Sequence, residues 1–187
     1  MNKIFEVMKK YAVKKYLTGS FILLFIGVVF INTMVTKPTG GYLTQQSGYS
    51  PQQGFDLISA YGEAGRRLHL TVCVYDLFLI FLFALFFSLC ITWLYTKLFD
   101  ERIKVLRTLC FIPIFYAIVQ LSEVIFACTV LLSYPERHDF LFILTNMLTS
   151  MKITLTYVCL IIVLAGFAFL FLRNLIFRLS GASRKDE

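Results

Sequence analysis

A chain of 187 residues that is 58% hydrophobic, with a mean hydropathy of +0.76, is excluded from the soluble globular class and from the disordered class alike. Its net charge of +7 comes from basic residues set beside apolar stretches, a pattern that fits membrane topology and anionic headgroups and argues against a nucleic-acid partner. Continuous apolar runs such as 78–87 and 160–172, without period-two alternation, predict membrane-spanning helices and exclude a transmembrane β-barrel.

Residues 1–15 alternate lysines with Ile4, Phe5, Val7, Met8, Tyr11 and Val13, which at helical spacing predicts a short basic amphipathic helix on the cytoplasmic leaflet, running into the first span. That span is expected at 16–36. A basic segment before an apolar run is also how a signal peptide begins, but this run is long and residues 31–36 offer no Ala-x-Ala-like cleavage site, so the span is expected to be retained. Within it Ser20 and Gly27 form a groove for a neighbouring helix, and Asn32 brings an amide near the outer end.

Residues 37–71 read as an outer loop. It opens on Pro38, Thr39, Gly40 and Gly41, passes through a polar turn at Gln45–Gly48, and then meets Ser50–Pro51, an N-cap followed by proline in the first helical position. Phe55, Leu57, Ile58 and Tyr61 give the helix that follows an apolar side, to lie on the membrane or over the mouth of a bundle. Gly62 and Gly65 allow it to break before Arg66, Arg67 and His69.

The second span, 72–96, carries Asp76, with Ile80, Ala84, Ser88 and Thr92 following at i+4 steps on one face, and Trp93 and Tyr95 forming an interfacial belt beside Lys97. A short cytoplasmic loop, 97–107, leads to the third span at 108–133, where Pro113 is expected to kink the helix. Tyr116, Gln120 and Glu123 share one face of it. Residues 134–148 read as an outer loop with an interfacial part, 149–172 as the fourth span and 173–187 as a cytoplasmic tail. Thr149, Lys152, Thr156 and Cys159 mark the polar or small face of the fourth span. Thirteen of the eighteen Lys and Arg fall in the segments on the side of the N-terminus, so both termini are predicted to be cytoplasmic.

Tyr49–Ser50–Pro51, the run Tyr61–Gly62–Glu63–Ala64–Gly65–Arg66, and Asp76 resemble the pattern of a group of uncharacterised small bacterial four-span integral membrane proteins. The resemblance implies the four-span topology and a bacterial cell membrane, points at Glu63, Arg66 and Asp76, and supplies no chemistry. Ile80 and the Phe-rich run stand where that group tends to carry proline and tyrosine, so no kink is expected in the second span.

The fold expected is therefore an all-α, polytopic, single-domain four-transmembrane-helix bundle with a short outer amphipathic helix. Counting about 1.5 Å per residue from the basic anchors, Asn32, Asp76, Glu123 and Lys152 all come out in the outer third of the membrane. A carboxylate at membrane depth costs several kcal/mol unless protonated, paired or wetted, so Glu123 marks the candidate site. The expected ligand pocket is Asn32, Asp76, Tyr116, Gln120, Glu123, Lys152 and Thr156, with Glu63, Arg66, Arg67 and His69 at its rim.

That constellation supports a non-enzymatic protein that binds a membrane lipid or small amphiphile, or serves as an accessory subunit to a membrane-protein partner or a second copy of itself. One alternative is an enzyme acting on lipid, with Glu123 as general acid or base, Asp76 assisting and Arg66 and Arg67 holding a phosphate. Another is a dimeric proton-coupled transporter built around Glu123. A third is purely structural, with Asp76 paired to Lys152 and Glu123 bonded to Gln120 or Tyr116 so as to set helix register. No metal or cofactor signature accompanies these residues. The five cysteines, Cys73, Cys90, Cys110, Cys128 and Cys159, lie in predicted spans without a CxxC pair and are expected to pack rather than to do redox work, although Cys73 and Cys128 both fall toward the outer side.

Overall fold

Four stretches in the computed structural model, Lys14–Thr33, Gly62–Phe99, Leu106–Ser133 and Asp139–Phe177, are helical, long and apolar enough to cross a membrane. The described residues are 2–34, 41–99 and 103–183, with backbone only for 2, 34, 104, 105 and 178–183; Lys37, Arg102, Arg184 and Lys185 lie outside them. Among the described residues about 90% are helical and none is in a strand. The helices are α1 (Asn2–Tyr11), α2 (Lys14–Met34), α3 (Pro51–Ala60), α4 (Gly62–Phe99), α5 (Ile112–Ser133) and α6 (Asp139–Ser183), with 3-10 turns at Leu43–Gln45 and Lys104–Phe111. This is the expected all-α polytopic bundle.

Local chemistry sets the helix starts. Ser50 caps α3 with a reciprocal capping box: its hydroxyl accepts from the Gln53 amide, and the Gln53 side chain accepts from the Ser50 amide at 2.8 Å. Gly62, at φ +62°, takes the left-handed turn between α3 and α4 that an L side chain resists. Once past it, the chain stays helical through Glu63, Arg66, Arg67 and His69, so α4 begins at Gly62 rather than at the expected residue 72. Likewise α6 begins at Asp139 rather than 149, with that acid in its first turn, where the helix dipole favours it. At about 1.5 Å per residue the two helices run about 57 and 67 Å, twice the hydrocarbon thickness, so both project beyond it. Pro113 does not kink α5. It opens it, because at the first turn its missing N–H removes no hydrogen bond.

α4 is the axis of the bundle, with α2, α5, α6 and α1 all packed on it. Gly27 brings α2 close: a Cβ there would lie 2.7 Å from a Leu79 methyl. Phe30 meets Tyr75 and Phe21 meets Phe86 along the same seam. Only 11% of the apolar window in α2, and of that in α6, is buried inside the protein, which leaves long faces of Phe, Ile and Leu to lipid.

The two ends of the bundle differ. At the basic end, α1 turns Phe5 and Met8 inward, Ala12 just after it is buried too, and Phe5 lies edge-on to Tyr95 with the Arg107 guanidinium 3.9 Å from its ring centre. Phe5 and Met8, two of the six apolar residues expected to meet headgroups, are thus taken by the protein itself, while Ile4, Val7, Tyr11 and Val13 remain exposed. α1 does not run into α2, since Ala12 and Val13 break the helix between them. At the opposite, cap end, the Leu43–Gln45 turn and α3 close over the bundle. Leu43, Ile58 and Tyr61 pack on Val130, Leu131 and Phe142 in one apolar cluster.

Candidate functional site

Three helices each turn a stripe of residues into one seam. α4 supplies His69, Cys73, Asp76 and Ile80, α5 supplies Tyr116, Gln120 and Glu123, and α6 supplies Thr145, Thr149, Lys152 and Thr156. Spacings of three and four residues keep each stripe on one helical face. The Tyr116 ring packs at a tilt against Phe83, 4.1 Å between centroids, which fixes the register of α5 against α4. Asp76 and Glu123 each lie seven residues toward the cap from that contact, so the two acids come out at one level.

At that level Glu123 is fully buried. The Lys152 ammonium donates to Glu123 Oε1 at 2.8 Å and lies 2.7 Å from Oε2, and the Thr149 hydroxyl sits between Glu123 Oε1 and the Thr145 carbonyl. Lys152 also donates to the Thr44 backbone carbonyl at 2.6 Å. One ammonium thereby ties α5, α6 and the cap together. Glu123 Oε2 lies close to the ammonium but accepts no hydrogen bond among the described residues.

Asp76 is half-buried and makes no hydrogen bond or ion pair among the described residues, although Lys152 and Glu123 are within electrostatic reach of it. Structural pairing of Asp76 with Lys152 therefore does not form; Lys152 prefers Glu123, deeper in the seam. Gln120 is buried with its Oε1 unpartnered, one turn further in. The Tyr116 hydroxyl comes up to the Thr156 side chain, and the Thr156 hydroxyl donates to the Lys152 carbonyl at 2.9 Å.

The cap is sewn down by polar contacts as well as by packing. Asn146 accepts from the Gly48 amide at 2.7 Å and donates to the Tyr49 carbonyl at 3.1 Å. The Tyr61 hydroxyl donates to the Gly41 carbonyl at 2.7 Å. Burial pushes the Tyr49 and Tyr61 phenols above the usual tyrosine range, so both stay neutral, and burial together with the charge of Asp76 raises that of Tyr42. Arg137 reaches the Gln52 side-chain oxygen from the start of α6.

No family model matches this chain, and no curated protein or solved structure matches it either. The site must be read from its own geometry, and the pattern around Tyr61–Arg66 remains a resemblance in residues.

The structure brings together Asp76, Tyr116, Gln120, Glu123, Lys152 and Thr156. Asn32 stands apart: it is exposed on α2 and donates to the Val28 carbonyl of its own helix at 2.8 Å. Among the rim residues, Glu63 and Arg67 pair with each other at 2.6 Å on the exposed surface of α4, and Arg66 lies over the Tyr134 ring at 4.0 Å. His69 is not at the rim. It is fully buried between the rings of Tyr42 and Tyr61, because α4 extends toward the cap and the cap folds over it; both ring nitrogens lack partners among the described residues.

Sequence reasoning missed Thr44, Thr145 and Asn146 in this network. The Thr145–Thr149–Lys152–Thr156 spacing on α6 was a usable signal. The Thr44 carbonyl had none, since backbone acceptors leave no mark in a sequence.

The same seam brings the Cys73 thiol to face that of Cys128 across α4 and α5, both free. Oxidation with diamide should join this pair within one chain, with loss of two hydrogens and of two maleimide-reactive thiols by intact mass, and Cys128→Ser should abolish the product. Unchanged mass in the wild type would show that the two sulfurs cannot reach bonding geometry.

Proposed function

We propose that this chain is a non-enzymatic, membrane-embedded binding protein for a lipid or small amphiphile, whose polar head is received at the level of Asp76, Glu123 and Lys152 beneath the cap. In this reading the basic end, with both termini, faces the cytoplasm of a bacterial cell, and the cap faces outward. The observation that supports it most is Glu123: a carboxylate with no exposed surface, ion-paired to Lys152, beside a second acid, Asp76, that makes no hydrogen bond or ion pair among the described residues. A bundle that needed only to fix helix register would gain as much from apolar packing, since replacing a buried ion pair by well-packed hydrophobic residues is commonly neutral or stabilising.

Proton-transfer chemistry is supported less well. Glu123 is held by Lys152 and Thr149, and its carboxylate is sealed from any substrate while Lys152 is bonded to the Thr44 carbonyl of the cap. Binding needs only that the cap yield. The test is native mass spectrometry of protein extracted in a mild detergent, comparing wild type with Glu123→Gln. A discrete bound lipid or amphiphile on the wild type, lost in the variant, is the expected result. A wild type that carries nothing discrete, or a variant that carries the same ligand equally well, overturns the reading.

A further inference from the structure

Resting on that binding reading, we propose that the ligand is a cationic amphiphile, whose protonated amine is taken up by Asp76 beside the Glu123–Lys152 pair while its hydrocarbon tail stays in the membrane. Two independent observations point to this class.

The first is charge. The seam holds two carboxylates, Asp76 and Glu123, against one ammonium, Lys152. That ammonium is paired with Glu123 and donates to Glu123 Oε1 and to the Thr44 carbonyl. Three other described basic side chains at this end are engaged elsewhere: Arg67 with Glu63, Arg66 over the Tyr134 ring, and Arg137 with Asp139 and Gln52. Asp76 makes no ion pair among the described residues, and Lys152, the cation within electrostatic reach of it, is paired with Glu123. A phosphate or carboxylate head would add a negative charge to a site already short of positive ones, so anionic lipids are disfavoured.

The second is hydrogen bonding. Buried Gln120 turns an Oε1 without a partner into the same seam, one turn from Glu123, and the Asp76 carboxylate likewise accepts from nothing among the described residues. At the level of the two acids the groups without a hydrogen-bond donor are acceptors, Glu123 Oε2 and Gln120 Oε1 together with Asp76, which is what an ammonium satisfies; the unpartnered His69 ring lies two turns nearer the cap. Tyr42, beside Asp76 and packed on His69, adds an aromatic surface of the kind that favours cations.

The experiment uses the full chain in nanodiscs of zwitterionic lipid and three probes of equal tail length, dodecylamine, dodecanol and dodecyl phosphate, titrated at neutral pH with binding read by native mass spectrometry. Dodecylamine should bind one per chain, tightest of the three. Asp76→Asn should weaken it by about thirtyfold, the loss expected when one partner of a buried charge pair is removed, and leave dodecanol unchanged. Because the comparison among headgroups needs only the wild type, it stands even if the variant folds poorly.

If dodecanol binds as tightly as the amine and Glu123→Gln still abolishes binding, the pocket is real and the amine assignment is wrong. Preferential binding of dodecyl phosphate also overturns the assignment. If no probe binds and no lipid copurifies, the binding reading falls and the assignment with it.

Discussion

Lys152→Met should destabilise the folded bundle by about 3–5 kcal/mol, the cost of leaving a buried carboxylate without its partner. The side chain is almost isosteric, so little packing is lost, but Glu123 keeps no cation, and the Thr149 hydroxyl does not replace an ammonium. The five free cysteines provide the readout, since four of them are buried and react with a fluorogenic maleimide only as the protein unfolds. A large fall in the midpoint of that thermal transition is expected. The double variant Glu123→Leu/Lys152→Met removes both charges together and should recover most of the loss, because a buried ion pair replaced by apolar groups is commonly near neutral. If the single variant is as stable as the wild type, Glu123 does not depend on Lys152, and the geometry of the seam is not what holds it. If the double variant is as unstable as the single one, the loss arises from packing.

Lys152→Met should also loosen the cap, because the same ammonium donates to the Thr44 carbonyl. Faster amide hydrogen exchange across residues 41–49 in the single variant is the specific sign. Glu123→Gln should leave that segment protected, since Lys152 keeps both the Thr44 carbonyl and an amide oxygen to bond.

Gly54→Val should release the cap by another route, at a cost of about 2–3 kcal/mol, toward the upper end of the overpacking range. Gly54 lies in α3 where a Cβ would sit 2.6 Å from Phe142 Cδ1 and 3.1 Å from Tyr49 Cδ2. Phe142 is a ring held at 1% exposure among Leu43, Ile58 and Leu131, so it cannot swing away as a surface side chain would. The expected outcome is protease cleavage within 41–61 at doses that leave the wild type whole, and a lower unfolding midpoint. Gly19→Ala is the control: its Cβ meets nothing within 4 Å, and the helix gains about 0.5–1 kcal/mol from losing a glycine. Equal resistance of Gly54→Val and wild type to cleavage would mean that α3 does not rest on Phe142.

These variants bear on function because the cap and the charged seam are one assembly. Residues 41–57 are held down by Lys152, which donates to the Thr44 carbonyl, by Asn146, which bonds Gly48 and Tyr49, and by Phe142, which lies against Gly54. If the proposed binding is correct, a loosened cap should exchange ligand faster, while loss of Glu123 removes the ligand altogether.

The sequence by itself determined the class of the molecule and the helical faces on which its polar residues fall. Apolar runs of spanning length specify membrane helices, because a backbone in hydrocarbon must satisfy its own hydrogen bonds. Ser50–Pro51, Gly62 and Pro113 mark helix starts by local chemistry, and helical spacing alone places Tyr116, Gln120 and Glu123 on one face. Where α4 and α6 begin was not legible, since polar helix formers such as Glu63 and Arg66 read equally well as loop.

Only the tertiary structure decided which acid Lys152 pairs with, that Asn32 stays outside, and that His69 is enclosed rather than exposed. Depth can be counted along a helix at a fixed rise per residue. Partnership depends on how the helices are rotated about their axes and on which distant backbone folds over their ends, and the Thr44 carbonyl that completes the Lys152 site lies 108 positions away in the chain.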